Sequence, residues 1–227
     1  MGWTAPTEER PAPVGIAHPT GLEMSALGDY LAGKYPSPPD LLDRMQRAVD
    51  RVRDRLRRAT AALESAGISY AVVGGNAVTS WVARVDEAAV RYTQDVDILL
   101  ERSDLDSAKE ALARAGFIFR HVKGIDMFLD GPEAKARDAV RILYAGEKVR
   151  EADPIAAPRI EESEATGSFR VVAFESLLRM KLTSFRDKDR THIRDMIDVG
   201  LVDASWLARL PEPLAGRLKE LLENPES

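Results

Sequence analysis

The chain has 227 residues, of which 44% are hydrophobic and 30% are charged. This length is enough for one full domain with a small helical lobe, and the net charge of -5 argues against a surface that coats nucleic acid throughout. The absence of cysteine excludes disulfides, thiol chemistry and thiolate metal sites. The chain has no apolar run of the ~18 residues that a membrane span requires, and its N-terminus lacks a signal-peptide pattern. We therefore expect a soluble cytoplasmic protein.

The first part of the chain predicts a leader and a long helix. Residues 1–39 are rich in proline and glycine, which indicates a mostly disordered leader. An apolar stripe of helical period then predicts a helix over 40–66 that ends at Gly67. Its other faces carry seven arginines, which indicate either a solvated outer face or an RNA-binding face.

The rest of the chain alternates between strand and helix patterns. Apolar runs predict strands over 69–73, 96–100, 117–122, 127–129, 139–144 and 169–171. Amphipathic segments predict helices over 76–83, 103–115 (with Ser103 and Asp106 as a capping box), 173–185, 189–200, 204–209 and 213–223. Residues 146–168 predict a charged loop. We therefore predict an α/β fold with a mixed sheet and flanking helices, divided into the leader at 1–39, a domain at 40–168 and a C-terminal helical lobe at 169–227.

Two acidic residues stand two positions apart at the start of the strand over 96–100. Alternate residues of a strand point to the same face, so the carboxylates of Asp95 and Asp97 leave one side of one element. Their repulsion is costly unless a cation lies between them. Mg²⁺ is usually held by one or two carboxylates plus substrate phosphates. We predict that Asp95 and Asp97 are catalytic metal ligands.

A double glycine joins the first strand after the long helix to the helix that follows. Gly74 and Gly75 end a buried apolar strand, and such a turn leaves N–H groups free beside the positive end of a helix, where phosphate binds. Turns of this kind also use glycine for conformation alone. Beside the acidic pair, the turn predicts nucleotide chemistry, with Gly74 and Gly75 as nucleotide-binding residues.

These motifs resemble the nucleotidyltransferase superfamily, the one that includes DNA polymerase β. The residues that carry the resemblance are Gly74-Gly75-Asn76-Ala77 and the run from Arg91 to Asp97, RYTQDVD. The nearer likeness is to small bacterial aminoglycoside nucleotidyltransferases, with their GG-x-A helix and R-x-T-x-D-x-D strand, and to AbiEii-type toxins. The resemblance implies the nucleotidyltransferase-type sheet, Mg²⁺ or Mn²⁺ as cofactor and an NTP as substrate.

The resemblance also implies roles for residues near the two motifs. Arg91 and Thr93 would order the loop or contact phosphate. Asn76 would either cap the helix or contact the nucleotide. Lys181 lies among apolar residues of the C-terminal lobe, where a buried lysine requires an anionic partner, and a triphosphate would serve. Lys188 and His192 follow at helical spacing if one helix continues from Lys181.

The superfamily usually supplies a third carboxylate from a later strand, as a general base or as a ligand of a second metal. In this chain, Arg141 stands at the matching position in the strand over 139–144. Asp126, at the start of the neighbouring strand, is our candidate replacement, and Glu147, just past the strand end, is the alternative.

We therefore expect metal-dependent nucleotidyl transfer from an NTP to a hydroxyl of tRNA, a protein or a small molecule. The AbiEii resemblance implies a toxin of a toxin–antitoxin pair as one setting. Two other functions stay open: a nucleotide-binding regulator that has lost turnover, for which Arg141 is the evidence, and an RNA-binding module acting through the arginine-rich helix. The sequence does not specify an oligomeric state.

Overall fold

A computed structural model describes residues 38–224 of the chain. Residues 1–37, which make up nearly all of the predicted leader, lie outside the described residues. Pro38 and Pro39, within the range of the predicted leader, belong to the first helix, where the first turn tolerates proline. The chain divides into two compact units between Met45 and Gln46, and apart from the start of the first helix every feature described below lies in the second.

The described residues form six α-helices, seven strands and three short 3-10 helices, of which the last, Ala204–Arg209, is the segment predicted as a helix over 204–209. The helices are Pro38–Ser65 (α1), Gly74–Val82 (α2), Leu105–Arg114 (α3), Phe174–Ser184 (α4), Asp187–Asp198 (α5) and Glu212–Glu223 (α6). The strands are Tyr70–Val73 (β1), Val96–Leu100 (β2), Ile118–Val122 (β3), Ile125–Leu129 (β4), Ala139–Tyr144 (β5), Ser163–Ala165 (β6) and Arg170–Val172 (β7). None of the helices in this described part has the length and hydropathy that a membrane crossing requires.

The strands form one mixed sheet in the order β3-β4-β5-β2-β1-β7-β6. β2 is antiparallel to β1 and parallel to β5, and β7 is parallel to β1. The predicted α/β fold, a mixed sheet with flanking helices followed by further helices, is confirmed. β7, within the range of the predicted C-terminal lobe, belongs to this sheet.

The two faces of the sheet carry separate hydrophobic cores. Along β2, Val96, Ile98 and Leu100 pack on the face covered by α1 and α3, here called the α1/α3 face. Leu99 points to the opposite face, covered by α2, α4, α5 and α6 and here called the α2/α4 face. Since alternate residues share a face, Asp97 belongs to the α2/α4 face.

Two local predictions differ from the structure. Residues 102–104 form a 3-10 turn before α3, so the N-cap of α3 is Asp104 and not Ser103. The Asp104 side chain forms no capping hydrogen bond to the helix. The predicted capping box of Ser103 and Asp106 therefore does not form. The predicted loop at 146–168 contains the short edge strand β6, which pairs with β7. Its polar sequence, SEA, gives no strand signal, because the pairing partner lies elsewhere in the chain.

A buried arginine joins α1 to the end of β4. Arg55 is 4% exposed, and its Nε lies 3.2 Å from Oδ2 of Asp130. Asp130 also pairs with Arg58, and Asp138 lies 3.7 Å from Arg55. Removing one partner of a buried pair leaves an uncompensated charge, which costs more than the pair contributes.

We therefore expect Asp130→Asn to lower the free energy of unfolding by about 3 kcal/mol. The matched control is Asp106→Asn, which removes an exposed partner of Lys109 on α3 and should cost less than about 1 kcal/mol. Urea unfolding of both variants measures the difference. Equal losses would show that the Arg55 pair does not hold α1 to the sheet.

Candidate active site

The glycine turn packs directly against the acidic strand. Gly74 begins α2 with φ +69°, a left-handed conformation that favours glycine. A Cβ atom at Gly74 would lie 2.1 Å from Oδ2 of Asp97, and one at Gly75 would lie 2.8 Å from Oγ1 of Thr93. Both positions therefore require glycine for close approach. The N-cap residue Val73 forms no side-chain cap bond to the helix, so the first turn of α2 keeps donors available for an anion.

The acidic pair is neutralised by an arginine from the neighbouring strand. Asp97 lies directly opposite Arg141 in the β2–β5 register. Arg141 Nε donates to Oδ1 of Asp97 at 2.8 Å, and its Nη2 lies 3.0 Å from Oδ2 of Asp95. Lys188 of α5 adds a second cation, with its Nζ 2.5 Å from the same Asp95 oxygen. The two carboxylates are therefore compensated by two cations of the chain itself.

Burial and charge move the two carboxyl groups in opposite directions. Burial raises the pKa of Asp97 above its ordinary value, and this outweighs the pull of Arg141. Burial also acts to raise the pKa of Asp95. The hydrogen bond from Lys188 and the charge of Arg141 outweigh this effect and hold the pKa of Asp95 below its ordinary value. Asp95 is thus the more strongly anionic of the two.

Lys181 has a partner within the protein. Its Nζ donates to Oδ1 of Asp189 at 3.0 Å, and both side chains are buried. Arg186 binds the other oxygen of Asp189 at 2.9 Å. Burial would raise the pKa of Asp189, but these two cations lower it to about 2. Burial lowers the pKa of Lys181, and Asp189 and Asp97 act against this shift. Asp189 is thus the anionic partner that buried Lys181 was expected to need, and Lys181 also lines the site.

Three other predicted residues support the turn and the loop before β2. Asn76 Nδ2 donates to the carbonyl oxygen of Asp95 at 2.7 Å. The Asp95 N–H donates to Oγ1 of Thr93 at 3.3 Å. Arg91 Nε binds Oδ1 of Asp195 on α5 at 2.7 Å. These bonds support loop ordering as the role of Arg91 and Thr93.

The structure does not bring Asp126 to the acidic pair. Met127 is the residue opposite Arg141, so Asp126 points to the α1/α3 face, and two strand spacings of about 4.8 Å separate β4 from β2. The Asp126 carboxylate accepts from Tyr144 Oη, and its Oδ1 lies 2.7 Å from Nδ1 of His121. The cavity of the acidic pair also reaches Asp126, but the strand register decides the direction of the side chain. The assignment of Asp126 as the replacement acid is corrected on this ground.

Glu147 also lies away from the pair. Its carboxylate forms two bonds to Arg102, at 2.6 and 2.5 Å, and Arg102 stacks on the ring of Tyr144, 3.6 Å from its centroid. Three residues of β5, about 10 Å of strand, separate Tyr144 from Arg141. Within residues 38–224, no group of three His, Cys, Asp or Glu side chains is placed to hold a metal.

A cavity of about 580 Å³ contains the site. Its lining includes the glycine turn, Asp95, Asp97 and Arg141, together with Lys181 and Lys188. Among the described residues that line it, eight are lysine or arginine and six are aspartate or glutamate. The cavity therefore carries net positive charge in a chain whose overall charge is -5, which favours an anionic ligand.

The single helical face expected for Lys181, Lys188 and His192 does not form. Phe185 has φ +46° and ends α4, so Lys188 and His192 belong to the separate helix α5. Lys188 reaches Asp95 because the chain turns there, a contact between residues 93 positions apart that no sequence pattern reveals.

Comparisons with known proteins give structural likenesses only. No protein-family model and no curated protein sequence matches the chain. The antibiotic-resistance factor ANT(2″)-Ia is similar over 80% of this chain and 96% of its own, at 14% identity and TM-score 0.49. An antigenic nucleotidyltransferase-like protein from Paracoccidioides brasiliensis matches 75% of this chain and 88% of its own, at 17% identity and TM-score 0.48. The Megavirus polyadenylate synthase matches 85% of this chain and 40% of its own, at 10% identity and TM-score 0.42. The Paracoccidioides brasiliensis protein is described as nucleotidyltransferase-like, the name of the superfamily that the motifs resemble. At such scores the function is argued from the site itself.

Gly74→Ala should destabilise the protein far more than Gly67→Ala. Both glycines have φ +69°, but a Cβ at Gly67 would meet nothing within 4 Å. Gly67→Ala should therefore lower the free energy of unfolding by about 1 kcal/mol, the cost of the left-handed conformation alone. Gly74→Ala adds the clash with Asp97. Urea unfolding compares the two, and equal losses would show that the turn does not press on the acidic strand.

His192 should make the fold sensitive to mild acid. The buried imidazole has no hydrogen-bond partner for Nδ1 among residues 38–224, and burial, with the charges of Lys181 and Lys188, lowers its pKa from 6.5 to about 4. The unfolded chain therefore binds the proton first as the pH falls. The stability that the neutral ring contributes is present above pH 6.5 and is lost between pH 6.5 and pH 4.

Over that window, wild type should lose about 3 kcal/mol more stability than His192→Gln. Urea unfolding at several pH values measures the difference. Parallel pH profiles for the two proteins would contradict the buried neutral histidine.

Proposed function

We propose that the chain transfers a nucleotidyl group from an NTP to a hydroxyl group, with Mg²⁺ or Mn²⁺ as cofactor. One observation carries this proposal: the glycine turn, the N-terminus of α2 and the acidic pair form a single packed unit, in which the space for a Cβ at Gly74 is filled by Asp97. A strand–helix turn that served folding alone would not need to lie against a carboxylate.

The phosphate-binding part of the proposal rests on charge. The first turn of α2 presents backbone N–H groups, and the cavity lining brings Lys181 and Lys188 to the same space. Arg141 adds a guanidinium that is 35% exposed on its side chain. A triphosphate would meet donors and positive charge from four elements of the chain, α2, α4, α5 and β5.

The acidic pair has the chemistry of a magnesium site shared with substrate. The bonds to Arg141 and Lys188 use Oδ2 of Asp95 and Oδ1 of Asp97, and the second oxygen of each carboxylate takes no part in them. Two carboxylates complete a magnesium site when phosphate oxygens supply the remaining ligands. The ion would neutralise charge on the phosphates.

In the proposed reaction the acceptor oxygen attacks the α-phosphorus. The bond from the α-phosphorus to the bridging oxygen breaks, pyrophosphate leaves with the electron pair, and the proton of the acceptor hydroxyl passes to solvent water. The chain contributes by positioning the triphosphate on the turn and by surrounding it with fixed cations, which are the main protein contributions to phosphoryl transfer. We assign no general base, because Asp126 and Glu147 are both bound elsewhere.

One observation favours a second candidate, a nucleotide-binding protein without turnover. Arg141 occupies the position of the third acid and bonds to both aspartates. The RNA-binding reading of α1 has less support, because Arg55, Arg57 and Arg58 are engaged in ion pairs within the protein. The acceptor class, whether tRNA, protein or small molecule, and a toxin–antitoxin role stay proposals from the resemblance.

The decisive test incubates the protein with each α-labelled NTP and Mg²⁺ in a mixture of tRNA, protein and small hydroxyl acceptors. We expect transferred label with wild type, and a loss of more than about 10²-fold in Asp95→Asn and in Asp97→Asn. Asp198→Asn, an exposed change on α5, should keep the wild-type rate. Nucleotide binding without transferred label would select the regulator, and neither binding nor transfer would overturn the nucleotide site.

A further inference from the structure

We propose that the guanidinium of Arg141 replaces one divalent cation, so that the site holds a single metal ion. The inference rests on the proposed function in that it assigns the metal stoichiometry of the same site. Sites of phosphoryl-transfer chemistry with two metals place the ions about 3.5–4 Å apart. Carboxylates shared between such ions are needed to offset their repulsion.

The position of Arg141 beside Asp97 is set by the pairing of β5 with β2 in the sheet. β5 runs parallel to β2, and Arg141 is the registered partner of Asp97. The two side chains therefore leave the same face at one strand spacing of about 4.8 Å. From that point the planar fork of arginine reaches Asp97 with Nε at 2.8 Å and Asp95 with Nη2 at 3.0 Å. A lysine, which is a single point charge, would not bond both in this way.

Charge balance then sets the number of ions. Asp95 and Asp97 supply two negative charges, and Arg141 is permanently positive, because a guanidinium keeps its charge in proteins. Lys188 is partly exposed and flexible enough to leave Asp95 when another cation arrives. Arg141 is held from two sides and stays. The two carboxylates can therefore accept one divalent ion together with substrate phosphates. A second ion would be repelled by the guanidinium of Arg141, which is already bonded to both carboxylates.

The test counts metal ions directly. Each protein is loaded with Mn²⁺ and a mixture of the four α,β-methylene NTPs, freed of unbound ligand by gel filtration, and the retained Mn²⁺ is measured by electron paramagnetic resonance after acid release. We expect one Mn²⁺ per chain in wild type and two in Arg141→Asp, which supplies a third carboxylate opposite Asp97. Arg120→Asp makes the same charge change on the exposed face of β3 and should retain one.

The outcomes separate this inference from the proposed function. Two ions in wild type, or one ion in both wild type and Arg141→Asp, would overturn the role of Arg141 and leave nucleotidyl transfer standing. No ion in wild type with ions gained in Arg141→Asp would overturn the single-metal site and would also contradict the proposed function. No ion in either protein would overturn both.

A second variant keeps the test informative if Arg141→Asp does not fold. Arg141→Met removes the cation and adds no acid. It should bind Mn²⁺ at least about tenfold more tightly than wild type in the absence of nucleotide, because one opposing charge close to the pair is gone. Unchanged affinity in Arg141→Met would overturn the inference.

Discussion

The site depends on one interaction, the bridge that Arg141 makes between Asp95 and Asp97. Two carboxylates on one face of a buried strand would repel each other in the folded protein. The guanidinium removes that repulsion in the absence of any ligand, and Lys188 extends the compensation to α5. The same contacts connect the sheet to the C-terminal helices. The bonds from Arg141 and Lys188 thus hold the two carboxylates in place, and their positive charge also determines how much further positive charge the carboxylates can bind.

A second constraint is the space beside the glycine turn. Asp97 fills the position that a side chain at Gly74 would need, and Thr93 does the same at Gly75. The turn, the loop before β2 and the acidic strand are therefore packed as one piece. Asn76 and Arg91 extend this piece through bonds to the Asp95 carbonyl and to Asp195. A ligand on the turn would meet a preformed surface.

The sequence predicted the parts of the fold and site whose signals are local. The apolar run of β2, residues 96–100, and the strand at 139–144 were predicted with the observed limits, because periodicity within a strand depends on neighbouring residues alone. The positions of Gly74 and Gly75 beside the acidic pair were also readable, since two consecutive antiparallel strands bring them together.

The parts that sequence did not reveal depend on contacts between distant segments. Asp126 looked suitable as a third acid, but the β4–β5 register turns it to the opposite face. The ion pair of Lys181 with Asp189 requires the left-handed residue Phe185 to redirect the chain between two helices. Strand pairing likewise sets His121 against Asp126, a contact between two strands. One signal was available in advance: the apolar surroundings of Lys181 indicated that it needed an anionic partner, which the structure supplies as Asp189.

The central claim is that the glycine turn and the acidic pair together bind the triphosphate of a nucleotide through a divalent ion. Calorimetric titration with a non-hydrolysable NTP and with the matching NMP, each with Mg²⁺ and with EDTA, tests it most directly. We predict tight binding of the NTP that requires Mg²⁺ and weak, metal-independent binding of the NMP. Equal affinity for both nucleotides, or NTP binding that EDTA does not change, would contradict the claim.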